Sequence, residues 1–103
     1  MDESICGQTL QFKNELIDRI DPLEYTFRRI EFTGNVHTND KELKKKILFA
    51  EADIFKREHL IQSITKMSKV NKIQPITLKN VGLFVDDAKK DVDVVFCVRE
   101  SPR

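Results

Sequence analysis

The side chains of this sequence that could do chemistry are two histidines, a pair of aspartates beside two lysines, a lysine cluster and two cysteines. His37 and His59 could ligate a metal. Asp86 and Asp87, next to Lys89 and Lys90, could exchange protons. Lys41 with Lys44, Lys45 and Lys46 could hold a polyanion. None of these groups is arranged for its chemistry. The histidines lack a cysteine pattern nearby, so surface or boundary roles outweigh ligation. Acid–base carboxylates need a pocket and a perturbed pKa, whereas Asp86 and Asp87 read as a solvated turn that pairs with Lys89 and Lys90. Three successive lysines on a helix point about 100° apart. Glu42 and Glu51 dilute their field, so a solvated helix face outweighs a polyanion site. Cys6 and Cys97 do not make a framework. Both are read as free, although a disulfide would anchor the N-terminus. The chain therefore reads as non-enzymatic, with no catalytic residues, no metal set and no cofactor.

The elements that carry these residues must fit in one small domain, because the chain has 103 residues. Eighteen basic and seventeen acidic side chains leave a net charge of +1, which gives no long-range field to gather nucleic acid or anionic lipid. No apolar run approaches the roughly 20 residues that span a bilayer. The N-terminus lacks the basic start and apolar stretch of a secretory signal. An intracellular protein, or an excised piece of an exported one, fits these facts. The stop at Arg103 directly after a strand favours the fragment.

Residues 1–25 read as a preface. Phe12, Leu16 and Ile20 recur at helix spacing, with Leu10 and Ile17 nearby, and Asp21-Pro22 should end that helix. It either packs on the domain or belongs to a neighbouring module. The domain itself is expected over 26–100, with 101–103 a truncated tail. Its first strand spans about Thr26 to Thr33, with Ile30 and Phe32 on one face and Arg29, Glu31 and Thr33 on the other. Gly34-Asn35 supplies a sharp exit. Thr38 or Asn39 caps a first helix, with Glu42 at the capping-box position for Asn39 and Asp40 in the first turn. Leu43, Ile47 and Leu48 should form its buried stripe. Glu51-Ala52-Asp53 makes a turn, and Ile54 and Phe55 plug the core. A second helix from Arg57 to Val70 turns Leu60, Ile61, Ile64 and Met67 inward, with Asn71 as a left-handed stop and Pro75 beyond it. A strand from Ile76 to Asp86 and another from Asp91 to Glu100 follow. In the last, Val92, Val94, Phe96 and Val98 alternate with Asp93, Val95, Cys97 and Arg99. The class is α+β, in the order β-α-α-β-β, with two helices covering one face of the sheet and the other face partly wet.

The strongest binding hypothesis falls on the segment Asn80, Val81, Gly82, Leu83, Phe84, Val85 and Asp86. At a sheet edge its outward amides and carbonyls could pair with another extended chain. Gly82 would let a partner backbone approach, Phe84 would offer an apolar contact, and Asp86 and Asp87 would guard against aggregation. The competing reading makes Gly82 a bulge or twist and packs Phe84 against residues 1–25. Single-strand-binding KH domains begin with the same element order but clamp a backbone with Gly-x-x-Gly between the helices. Here the glycines are Gly7, Gly34 and Gly82 and the turn is acidic, so no nucleic acid is expected.

The stretch RRIEFTGNVHTNDKELKKKI resembles the opening of a POTRA (polypeptide-transport-associated) domain, most nearly the barrel-proximal one of BamA-type outer-membrane assembly proteins. The residues that carry the resemblance are Arg28, Arg29, Ile30, Phe32, Gly34, Asn35, Thr38 and Asp40. The block Glu51-Ala52-Asp53-Ile54-Phe55, then Leu60, Ser63 and Ile64, and a last strand from Val92 through Glu100 extend it over about 27–100. Ala52 stands where the family often has glycine, and Val70-Asn71-Lys72-Ile73 where it commonly has Leu-Gly-aromatic-Phe. The resemblance implies a three-stranded mixed sheet under two antiparallel helices, with the second strand at an edge. It implies the periplasmic portion of an outer-membrane protein. The partners implied are extended outer-membrane protein segments, adjacent POTRA domains, the parent β-barrel and accessory lipoproteins. A structural linker or docking domain without client binding is the alternative.

Overall fold

The computed structural model describes residues 7–70 and 72–100. Helix α1 (Leu10–Ile20) opens the fold, and Thr9 caps it by accepting a hydrogen bond from the Phe12 amide at 3.1 Å. The inward stripe of α1 is Lys13, Ile17 and Ile20, all fully buried. The expected stripe is thus rotated: Leu10 and Phe12 are exposed, and Leu16 is only partly buried. A buried lysine is the cause, since its ammonium finds main-chain carbonyls at the sheet end. Ile17 and Ile20 join the same core as the strands, so this helix packs on the domain. A 3-10 turn at Asp21–Leu23, with Pro22 early in it, continues the coil briefly before Glu24 leaves at φ 59°.

Strand β1 (Thr26–Thr33) follows. Phe27, Ile30 and Phe32 all face the core although 27 and 30 differ by an odd number. A register shift between Phe27 and Arg29 absorbs the extra residue and leaves Arg28 outside. Helix α2 (Asp40–Lys44) is little more than one turn, capped by Asn39, which accepts from the Lys41 amide at 2.7 Å. Its buried residue is Leu43. The chain then unwinds, Leu48 is exposed, and Phe49 enters the core instead, its ring stacked 3.9 Å from that of Phe27. The Leu48 amide donates to the buried Ser63 hydroxyl at 2.7 Å, which draws the chain out of helical geometry.

Ala52 turns at φ 78°, a left-handed angle that glycine adopts at less cost. Segment 52–55 then runs beside the start of β1. The Ala52 amide donates to the Phe27 carbonyl, Phe27 to Asp53, and Phe55 to Tyr25. Phe55 is fully buried, but Ile54 faces outward. Helix α3 (Arg57–Met67) buries Leu60, Ser63, Ile64 and Met67 and leaves Ile61 exposed. Its own N-cap residue, Lys56, offers no side-chain acceptor. Asp21 supplies one from across the core, accepting the Arg57 amide at 2.8 Å. The stop expected at Asn71 lies outside the described residues.

A 3-10 turn at Leu78–Asn80 precedes strand β2 (Val81–Asp86), and β3 (Asp91–Cys97) follows. The order across the sheet is β1-β3-β2, with β1 parallel and β2 antiparallel to the central β3. This is an α+β fold with helices packed on one face of a three-stranded mixed sheet. The core face joins Phe27, Ile30 and Phe32 to Val92, Val94, Phe96 and Val98 and to Val81 and Leu83. Cys97 is disulfide-bonded, contrary to the free thiol expected of it. Two cysteines in a short chain carried no pattern by which that bond could be read.

Candidate functional site: the β2 edge

The sheet has two margins. The start of β1 is sealed by segment 52–55. Strand β2 forms the other margin, with its inner side bonded to β3.

Main-chain groups along an antiparallel strand alternate between its two sides. At Leu83 both groups point away from β3, and both are engaged. The Gln8 side-chain nitrogen donates to the Leu83 carbonyl at 2.8 Å, and the Leu83 amide donates to the Gln8 side-chain oxygen at 2.9 Å. One carboxamide thus makes the paired donor and acceptor contacts that a residue of a neighbouring strand would make. Val81 and Val85 share Leu83's parity, so their main-chain groups point the same way. The Val81 amide is taken up by the Leu78 carbonyl of the preceding turn.

Helix α1 lies against this margin through two further contacts. The buried Lys13 ammonium donates to the carbonyls of Leu78 at 2.8 Å and Lys79 at 3.1 Å. Burial pushes its pKa below the ordinary lysine value. At the other end, Arg19 and the Tyr25 hydroxyl both donate to Asp87, at 2.8 and 2.6 Å. The hydrogen bonds from Tyr25 and then Arg19 hold the Asp87 carboxyl below its ordinary pKa. Asp87 therefore does not pair with the turn lysines. Asp86 instead accepts from the Ala88 and Lys89 amides, which shapes the turn.

The seven residues expected along the edge do not all lie on it. Asn80 belongs to the 3-10 turn, where its side chain accepts from the Thr77 amide at 3.0 Å and the Thr77 hydroxyl accepts from Lys79. That local bonding starts the strand at Val81, five residues later than the expected Ile76. Val81 and Leu83 are committed to the core, and Gly82 is buried. Phe84 is 41% exposed. Val85 is half-buried and Asp86 exposed.

The Gly34, Asn35, Thr38 and Asp40 spacing after β1 has a structural use. Gly34 sits at φ 88°, and a Cβ there would stand 2.0 Å from the Val98 carbonyl oxygen. Asn35 donates to the Thr38 carbonyl at 2.8 Å and to Asp40. Glu100 receives the His37 and Thr38 amides, both at 2.6 Å. Partial burial pushes the Glu100 carboxyl up, but those amides outweigh it and hold its pKa below the ordinary value. Ile30 and Phe32 are core residues, and Arg29 pairs with Glu31 in solvent. Lys44, Lys45 and Lys46 are all exposed on and after α2. Among the described residues no group of three or more His, Cys, Asp or Glu could hold a metal, and no helix is long and apolar enough to cross a membrane.

Gln8 and Lys13 escaped the sequence reading. Both are polar residues in a helix-forming preface, and their partners lie 65 to 75 positions away. The one available signal was Lys13 itself, which falls on the same helix face as Ile17 and Ile20.

A family model described as POTRA, "Surface antigen variable number repeat", matches residues 25–101. A search of curated proteins finds no match. Among solved structures, "The crystal structure of BamA from Haemophilus ducreyi lacking POTRA domains 1-3" is similar with a TM-score of 0.65 at 15% identity. The likeness covers 75% of this chain and 14% of that one, so the chain spans a small part of that structure's length.

Proposed function

This chain belongs to the POTRA family, and from that membership we propose that it binds other polypeptides by adding an extended segment to the β2 edge. The domain is non-catalytic, and a periplasmic, outer-membrane-associated location goes with the family. The parent would be an outer-membrane assembly or secretion factor. Its clients or accessory partners would be extended outer-membrane protein segments, with neighbouring POTRA domains and a β-barrel on the same chain.

One observation carries the reading. The outward amide and carbonyl of Leu83 already hold a carboxamide in the two-bond geometry of strand pairing. A site that binds one amide group this way can bind a peptide group, which has the same donor and acceptor. Recognition of this kind reads main chain and tolerates varied side chains. Each hydrogen bond contributes only about 0.5–1.5 kcal/mol net, so a few of them give a hold that releases. Exposed Phe84 adds an apolar contact on the open face.

The test is an NMR titration with an extended, barrel-derived peptide. Strand addition shifts or broadens the amide signals of 81–86. A docking role without client capture is the second reading, favoured by the apolar hollow that exposed Leu48 and Ile61 form with Thr65 on α3. Shifts confined to that hollow would replace strand addition with docking.

A further inference from the structure

We propose that Gln8 is a built-in competitor that occupies the β2 edge and must leave before another strand can pair there. The inference rests on the strand-addition reading of β2 and adds its regulation.

The geometry separates a fixed part from a movable one. Lys13, Ile17 and Ile20 are fully buried, and Lys13 ties α1 to the turn that leads into β2. Displacing α1 would strip that ammonium of its acceptors inside the protein. Gln8 lies ahead of the helix. Thr9, the cap residue, has extended angles (φ −68°, ψ 154°), and its side chain bonds forward to the Phe12 amide. Rotation of the Gln8 side chain about its own bonds takes the carboxamide off Leu83 without disturbing the helix or its cap. What is lost is one pair of hydrogen bonds, and an incoming strand restores the same pair to Leu83 before extending to Val85.

Gln8 also answers a hazard. An uncovered edge strand templates uncontrolled pairing with other chains. A side-chain amide satisfies Leu83 while presenting no further strand edge of its own. The edge is thus closed to weak or accidental partners and open to a segment that can make more than the one pair of bonds.

When the competent state is a minor fraction, apparent affinity falls by that fraction. Two net hydrogen bonds correspond to roughly tenfold in affinity. Two measurements test the proposal on the full chain. The first is amide exchange in wild type and Gln8→Ala. Leu83 should be protected in wild type and exchange faster in Gln8→Ala, while Gly82 and Phe84, bonded inward to β3, keep their protection. The second is titration with a labelled peptide of about ten alternating threonines and valines, the length of a barrel strand. Gln8→Ala should bind it roughly tenfold more tightly than wild type, with the shifted amides at 81–86. Gln8→Glu should behave likewise, because its carboxylate faces the Leu83 carbonyl without a donor.

Equal binding at 81–86 by all three proteins would overturn the competitor role and leave strand addition standing. Binding at 81–86 by none of them would sink both. Fast exchange of Leu83 in wild type would show that the Gln8 contact does not hold in solution, which also ends the proposal.

Discussion

Replacing Gly34 by alanine should destabilise this domain more than a single added methyl group suggests. Two costs combine. At φ 88° an L-residue pays the left-handed penalty, about 1–2 kcal/mol. The new Cβ would also stand 2.0 Å from the Val98 carbonyl oxygen, a backbone atom that cannot rotate away. The Val98 amide is bonded to Thr33, so relief requires parting the ends of β1 and β3. Overpacking of this kind costs about 1–3 kcal/mol. The sum, roughly 2–5 kcal/mol, is a large share of the 5–15 kcal/mol typical of a domain. Urea unfolding should show a lower midpoint at unchanged slope, and the melting temperature should fall by on the order of 10–20 °C. Gly34→Asn separates the two costs. Asparagine tolerates left-handed angles but keeps the Cβ, so a clash-dominated site makes it nearly as harmful as alanine. A loss below about 1 kcal/mol for Gly34→Ala would refute the reasoning, because it would mean the loop turns clear of Val98 at little cost.

Two further outcomes follow from the contacts of α1. Asp21→Ala should cost about 0.5–2 kcal/mol in urea unfolding, the value of a lost N-cap. Asp87 has a folded pKa below its unfolded value, so its contribution is present above the ordinary carboxylate range, near 3.8, and is lost as pH falls through the lower folded value. An acid titration of stability should therefore show a shallower loss in Asp87→Asn than in wild type. Equal acid profiles would deny the Tyr25–Asp87–Arg19 contact a role.

The sheet was largely legible because its signals are local. Ile30 and Phe32 alternate, the hairpin turn is charged, and Val92, Val94, Phe96 and Val98 leave one register for β3. The position of β2 at a margin agreed with the expectation, and its length did not. Thr77 and Asn80 close a turn through their own side chains, a signal present in the sequence but outweighed by the β-branched residues around it. Helix α2 was overestimated for a nonlocal reason: the Ser63 hydroxyl captures the Leu48 amide and the Phe27 ring attracts Phe49. Ile54 and Ile61 sit on the solvent side of their elements, so apolar character alone assigned them wrongly. The occupant of the edge was illegible, since nothing near Gln8 in sequence distinguishes it from any other polar residue.

Asp21 lends its carboxylate to a helix that begins 36 positions later. The first turn of α3 and the end of α1 then open together or not at all, and amide exchange should assign them to one cooperative unit. A cut placed where the family match begins, at residue 25, passes through that unit. The shortened protein would keep all three strands and lose the anchor that sets where its longest internal helix starts.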